Sequence, residues 1–309
     1  MALVEAEHLT KRYGQRKAVD DLSLTIEEGE IFGLLGPNGA GKTTTILMML
    51  GLTEPSAGSV RVAGFDPTHD SIKVKRIASY LPETVGFYED MSARANLRYT
   101  AELNRIPRKH AEELIDDALE TVGLEDRGED KVGTFSRGMR QRLGIADVLI
   151  KSPKVVFLDE PTLALDPDGV NHILELILDL RRQRHMTILL SSHLLDQVQR
   201  VCDRIGIFVK GKLVALGGIE ELGVALASGD GRVVELAAEP LSEDLIAALR
   251  RVDGVEAIDR SQKMLLVRSA RELRPQLVRA VADAGAKLLH LRLQTVGLEQ
   301  IYFRYFRES

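Results

Sequence analysis

The stretch "EIFGLLGPNGAGKTTTILMML", residues 30–50, decides the fold. It opens on an apolar, strand-like run and passes through a glycine-rich turn. It then continues as a helix that ends near Gly51. The turn, Gly36 to Thr44, fits the pattern G-x-x-x-x-G-K-[ST], with Lys42 and Thr43 at its end. In that pattern the residues Gly36, Pro37, Asn38, Gly39, Ala40 and Gly41 let successive backbone N–H groups curl around a phosphate. Lys42 then reaches the outer phosphates of a nucleotide, the Thr43 hydroxyl takes a magnesium ion, and Thr44 belongs to the same loop. The helix starting near Lys42 adds the positive end of its dipole. A phosphate loop between a strand and a helix is the expected reading.

Working outward, strand and helix patterns alternate over the first ~220 residues. "KVVFLDE" and "MTILLSSH" are fully apolar strands, and "GVNHILELILDLRRQR" and "LLDQVQRVCDR" are helices. Continuous apolar strands separated by helices imply a parallel sheet covered on both faces. The short segments "EAEHLTKRY", "DLSLTIEEG" and "GSVRVAGFD" read as an antiparallel sheet beside it. Residues 90–150 hold three helix-like segments without an apolar strand between them, which reads as an inserted helical subdomain.

Beyond residue 222 the order becomes β-α-β-β-α-β, the order of a ferredoxin-like unit. The expected domains are therefore 1–222, an α/β nucleotide-binding domain, and 223–309, a small α+β domain. "SGDG", residues 228–231, is the expected linker, and "GLEQIYFRYFRES" reads as an aromatic-rich final helix.

The chain has 309 residues, 44% hydrophobic and 28% charged, a balance that supports a full core. A formal net charge of -5 argues against a general nucleic-acid binder. The one cysteine, Cys202, sits in an apolar helical pattern and reads as a buried small hydrophobe. The N-terminal sequence lacks the pattern of a signal peptide, and no apolar run approaches the ~20 residues of a membrane span. Work at a membrane would then require a partner that supplies the span.

Further candidates lie at the ends of the apolar strands. Asp159 would hold magnesium, and Glu160 would act as general base on an attacking water. Two adjacent acids at the end of a buried strand are costly unless a cation neutralises them. His193 follows the third parallel strand, where ligands of such sheets bind, and is a candidate for contacting the terminal phosphate. A different puzzle is "TFSRGMRQRLG", residues 134–144. It reads as a helix start capped by Thr134 or Ser136, yet it crowds Arg137, Arg140 and Arg142 at the positive end of the helix dipole. Such a start suits an anion.

Taken in order, these motifs resemble the ATP-binding subunit of ABC transporters over about residues 3–220. The resemblance implies that Tyr13 stacks on adenine, that Gly36 to Thr43 bind the phosphates, and that Asp159 and Glu160 are the magnesium and base positions. "YLPE", residues 80–83, is similar to a loop that usually carries glutamine, so Glu83 becomes a candidate nucleotide and magnesium contact. "FSRGM", residues 135–139, resembles the family signature, Asp166 in "LALDP" the aspartate of the next loop, and His193 the switch histidine. In the family two such domains meet head to tail around ATP. The resemblance therefore implies a homodimer in which Ser136 and the N–H of Gly138 contact a phosphate bound by the other chain. Arg140 either supports that contact or lies on a solvated face.

The family further implies ATP and Mg2+ as cofactors and a transmembrane permease subunit as partner, docked around "ETVGFYED", residues 83–90. It implies a location on the cytoplasmic face of the membrane. Glu83, the "SRGMRQR" signature and the extra C-terminal domain are similar to the subset that serves ABC-2-type exporters. Departures are Glu83 for glutamine, Arg137 and Met139 within the signature, and Leu163 before Asp166. Two alternatives stand beside the transport motor: a soluble ABC ATPase acting on ribosomes or DNA, and an ATP-sensing regulator. The C-terminal domain would serve dimerisation or regulation. With no Cys and only His290, it is a poor soft-metal site.

Overall fold

The computed structural model describes residues 2–218, 221–222, 232–261, 264–269 and 271–294. The chain divides into two compact units, Met1–Gly217 and Gly218–Ser309. The expected linker at 228–231 and the final helix from Gly297 lie outside the described residues.

The first unit is built on a six-stranded sheet of order β5-β6-β7-β3-β8-β9. Its strands are β3 (Ile31–Leu35), β5 (Ala78–Leu81), β6 (Val155–Asp159), β7 (Thr187–Ser192), β8 (Arg204–Val209) and β9 (Lys212–Gly218). The pairs β5·β6, β6·β7, β7·β3 and β3·β8 are parallel. Every residue of β3, β6 and β7 is buried. This is why these strands lack polar alternation in the sequence. Helices α1 (Lys42–Met49), α6 (Pro167–Arg184) and α7 (Leu195–Val201) connect them. Asp166 caps α6 by accepting from the Gly169 N–H at 2.8 Å, and Pro167 occupies the first helical turn, where its missing N–H costs nothing. The short helix α2 (Ser71–Ile77) and edge strand β5 were not legible as separate elements.

Strands β1 (Ala2–Tyr13), β2 (Arg16–Glu27) and β4 (Ala57–Val62) form the antiparallel sheet, in the order β2-β1-β4. Its apolar face joins the parallel sheet in one core that includes Leu9, Leu22, Ile26, Phe32, Ile46, Met49, Phe157 and Phe208. The tight β1–β2 turn carries Tyr13 and Arg16 to its tip.

The inserted helices are α3 (Ala93–Leu103), α4 (Arg108–Thr121) and α5 (Arg137–Leu149). Ser92 caps α3 and Ser136 caps α5. Arg94 and Arg98 on α3 pair with Asp116 and Glu112 on α4 at 2.7 and 2.6 Å. The second unit contains β10 (Arg232–Glu239), α8 (Glu243–Arg250), β11 (Val255–Ser261), β12 (Met264–Ser269), α9 (Arg274–Asp283) and β13 (Lys287–Gln294). Its antiparallel sheet has the order β11-β12-β10-β13. Val234, Leu236, Leu265 and Val267 on the strands share a core with Leu245, Leu249, Leu277 and Val281 on the helices.

Candidate active site

The register of the parallel sheet positions the chemistry. Leu35 lies beside Ser192, and Asp159 beside Ser191. Strands β3, β6 and β7 therefore end on one edge, and the loops leaving them carry residues 36–41, Glu160 and His193 to the same place. These loops border a cavity of about 470 Å³. Pro37, Asn38, Gly39, Gly41, Lys42, Thr43 and Thr44 line it, with Glu160, Glu83, Tyr13 and Arg16.

Helix α1 starts from Gly41, whose φ is 112°. A Cβ there would stand 2.3 Å from the Ala18 carbonyl oxygen. Both facts exclude a side chain. Gly41→Ala is expected to destabilise the chain by about 1–3 kcal/mol and to weaken nucleotide binding, measured by thermal unfolding and ATP titration. Gly36 and Ala40 complete the loop without lining the cavity. The Gly36 carbonyl accepts from the Lys42 ammonium at 2.7 Å, and the Ala40 carbonyl accepts from the Gly211 N–H at 2.9 Å.

Lys42 is buried, and its ammonium also stands 3.1 Å from Glu160 Oε1. That approach is an ion pair without hydrogen-bond alignment, and Oε1 has no other donor among the described residues. The other oxygen, Oε2, is 2.9 Å from His193 Nδ1. His193 is thus placed on the carboxylate of Glu160. Glu160 itself has φ 50°, a left-handed conformation rare for a non-glycine residue. Its N–H donates to Ser191 Oγ at 3.1 Å, which holds the turn in place.

Asp159 is 1% exposed at the end of β6. Its Oδ2 accepts from the Thr43 hydroxyl at 2.7 Å and from the Tyr80 hydroxyl at 3.3 Å, and its Oδ1 accepts from Ser191 Oγ. Burial, together with the nearby Asp159 charge, pushes the Tyr80 phenol far above its ordinary range, so it remains a donor. Tyr80, Ser191 and Arg16 were not among the sequence candidates. Ser191 stands two residues before His193, but nothing in its spacing marks it as the group that joins Asp159 to the Glu160 turn.

The donors suit a hard cation. Thr43 and Asp159 offer converging oxygens, and Glu83 is an exposed carboxylate on the rim. Asp159 and Glu160 are both buried, and of the two only Glu160 has the Lys42 ammonium as an ion-pair partner. No cluster of three or more His, Cys, Asp or Glu suited to a metal occurs among the described residues. A cation here would need oxygens from a ligand as well, the usual arrangement for Mg2+ with nucleotide phosphates. Tyr13 is 52% exposed, with the Lys11 ammonium 5.1 Å from its ring centroid.

Ser136, Gly138 and Asp166 are not brought to this cavity. They line a second one of about 420 Å³ between the starts of α5 and α6. The arginines of that stretch are largely committed. Arg140 donates to Glu89 at 2.7 Å in an exposed pair and to the Phe135 carbonyl at 3.3 Å. Arg142 donates to the carbonyls of Val122 and Gly123 at 3.0 and 2.9 Å, where it caps the end of α4. Arg137 stays exposed in the cavity. Cys202 is buried, and burial pushes its thiol up.

The sequence model of the family described as ABC transporter matches residues 19–163. The chain is 33% identical over 304 residues to the linearmycin resistance ATP-binding protein LnrL of Bacillus subtilis (strain 168), covering 97% of both chains. It is 42% identical to the bacitracin transport ATP-binding protein BcrA of Bacillus licheniformis, over 69% of this chain and 68% of that one. A solved ATP-binding subunit of an ABC transporter superposes with a TM-score of 0.66 at 30% identity, covering 73% of this chain and 93% of the other. With a phosphate loop, two strand-end carboxylates and these likenesses, the chain belongs to the ABC transporter family as an ATP-binding subunit that hydrolyses ATP.

Proposed function

We propose that this subunit drives an ABC-2-type exporter through ATP-dependent head-to-tail pairing of two copies. The observation that carries the pairing is the separation of the two cavities. The Lys42 cavity and the Ser136 cavity share no lining residue, so neither half of the expected nucleotide site is complete in one chain. A second copy would bring Ser136 Oγ, the Gly138 N–H and Asp166 onto nucleotide held by the first.

In the assembled site the Lys42 ammonium exchanges the Gly36 and Pro37 carbonyls for phosphate oxygens. Tyr13 offers a face for the adenine. Thr43, Asp159 and Glu83 would hold Mg2+, which supplies charge neutralisation at the phosphates. Glu160 accepts a proton from water as that oxygen bonds to the terminal phosphorus. The bond from phosphorus to the bridging oxygen breaks, and ADP leaves with the electron pair. His193 fixes the orientation of Glu160 through Oε2.

Two relatives support export of a drug-like cargo, since their names tie them to linearmycin resistance and bacitracin transport. Among the described residues no helix is long and apolar enough to cross a membrane. A permease would then supply the span and hold this subunit at the cytoplasmic face. Its docking groove is the cavity of about 360 Å³ bordered by Gly86, Phe87, Tyr88, Tyr99 and Leu103. The strand order β11-β12-β10-β13 supports the ferredoxin-like reading of the second unit, which would stabilise the pair.

Light scattering tests the pairing. In a Glu160→Gln background, ATP is expected to shift the chain from monomer to dimer. Adding Ser136→Arg is expected to restore the monomer while ATP still binds. A dimer that survives Ser136→Arg would show pairing through another surface.

A further inference from the structure

Helix α5 carries an acid that the ATPase chemistry does not use. Asp147 lies among Leu143, Ile145, Ala146, Val148 and Leu149, all buried. Its Oδ1 is buried and has no hydrogen-bond partner among the described residues. Burial raises the carboxyl above its ordinary range, while the Thr100 hydroxyl and the Lys151 charge act to lower it. Lys151 stands one helical turn away, yet its ammonium donates to the Lys75 carbonyl instead. A buried acceptor left without a protein partner costs stability unless something else supplies a donor.

Asp147 borders the groove beside α3. The groove is preformed, because buried Asn96 accepts from the Tyr88 N–H at 2.9 Å and donates to the Tyr88 carbonyl at 3.1 Å. Tyr88, Tyr99 and Leu103 are 56%, 41% and 66% exposed, and the two tyrosine rings meet edge to face at 5.4 Å. No basic residue lines the groove, and exposed Glu89 and Asp90 belong to the same loop. A cation entering there meets the Asp147 carboxylate with no basic residue in the lining, while Glu89 of the adjoining loop is already held by Arg140.

We infer that Asp147 is the acceptor for a lysine or arginine side chain on the permease segment that docks in this groove. The inference rests on the reading of the groove as the permease's docking surface. The occupant would be a short, largely apolar segment with one basic side chain that passes between the two tyrosines and Leu103. Asp147 would then select the partner, because an apolar segment lacking the cation leaves Oδ1 buried without a partner.

The test uses the full chain co-expressed with its membrane subunit, with the amount retained at 0.3 M NaCl (about a 5–6 Å screening length) as readout. Asp147→Leu is expected to raise the thermal midpoint of the isolated chain by about 2–4 °C while cutting retained permease at least tenfold. Asp147→Lys is expected to abolish retention, and exchanging the partner's basic residue for Asp to restore it. A merely structural Asp147 would lower midpoint and retention together, which overturns the inference. If Asp147→Leu retains the permease while Leu103→Glu loses it, the inference fails and the docking reading stands. If Leu103→Glu also retains it, the docking reading itself fails.

Discussion

Glu160→Gln is expected to lower ATP turnover by about 10²–10⁴-fold, measured as phosphate release at saturating Mg-ATP, with ATP binding retained. The amide keeps the shape of the carboxylate but cannot take a proton from water. It also removes the charge of the buried acid beside Lys42, so the ammonium becomes more available to phosphate. Loss of turnover with retained affinity separates a base from a binding group. Equal loss of both would assign Glu160 to nucleotide binding and leave the base elsewhere.

Lys42→Met acts at the other end of the same ion pair and is expected to fail differently. Nucleotide affinity should fall by about 10²–10³-fold, the cost of removing a charge-assisted contact to phosphate. The free subunit should also lose stability, because Glu160 would remain buried without its ammonium. Side-chain exposures of 6% and 8% place this pair in the interior. Breaking such a pair from one side costs about 3–5 kcal/mol, or roughly 6–20 °C in midpoint for a unit of this size. The double variant Lys42→Met/Glu160→Gln is expected to recover most of that midpoint while neither binding nor turnover returns. Recovery would show that the single-variant loss came from an unpaired acid. A double variant as unstable as Lys42→Met would locate the loss in the Gly36 and Pro37 carbonyls that Lys42 also holds.

The two variants differ because the site is a chain of dependent contacts. His193 orients Glu160, Glu160 faces Lys42, and Ser191 ties the Glu160 turn to Asp159, which reaches Thr43. Only parts of that chain could be read along the sequence. The phosphate loop was legible because its spacing is local, with Gly36, Gly41, Lys42 and Thr43 inside a single turn. Asp159 and Glu160 were legible because an apolar run ends on them. Tyr80 was visible only as a neighbour of Glu83, and its hydroxyl contact with Asp159 depends on the pairing of β5 with β6. Arg140 illustrates the opposite case. Its position at a helix start suggested an anion site, but Glu89, 51 residues away, holds its guanidinium. No helical periodicity encodes that partner.

Sequence alone determined most of the segments that form the elements, though not α2 or β5, because helix periodicity, strand burial and phosphate-loop geometry are properties of neighbouring residues. It also determined the family. The tertiary structure decided which of those residues meet. Thr43 and Asp159 are 116 residues apart in the chain and 2.7 Å apart in space. They meet because the sheet order places β7 between β6 and β3 with all three strands ending on one edge. The same order sends Ser136 and Asp166 to a separate cavity and leaves Asp147 unsatisfied beside a preformed groove. Strand order is set by the packing of whole layers, a sum over contacts distant in the chain, and no single motif carries it.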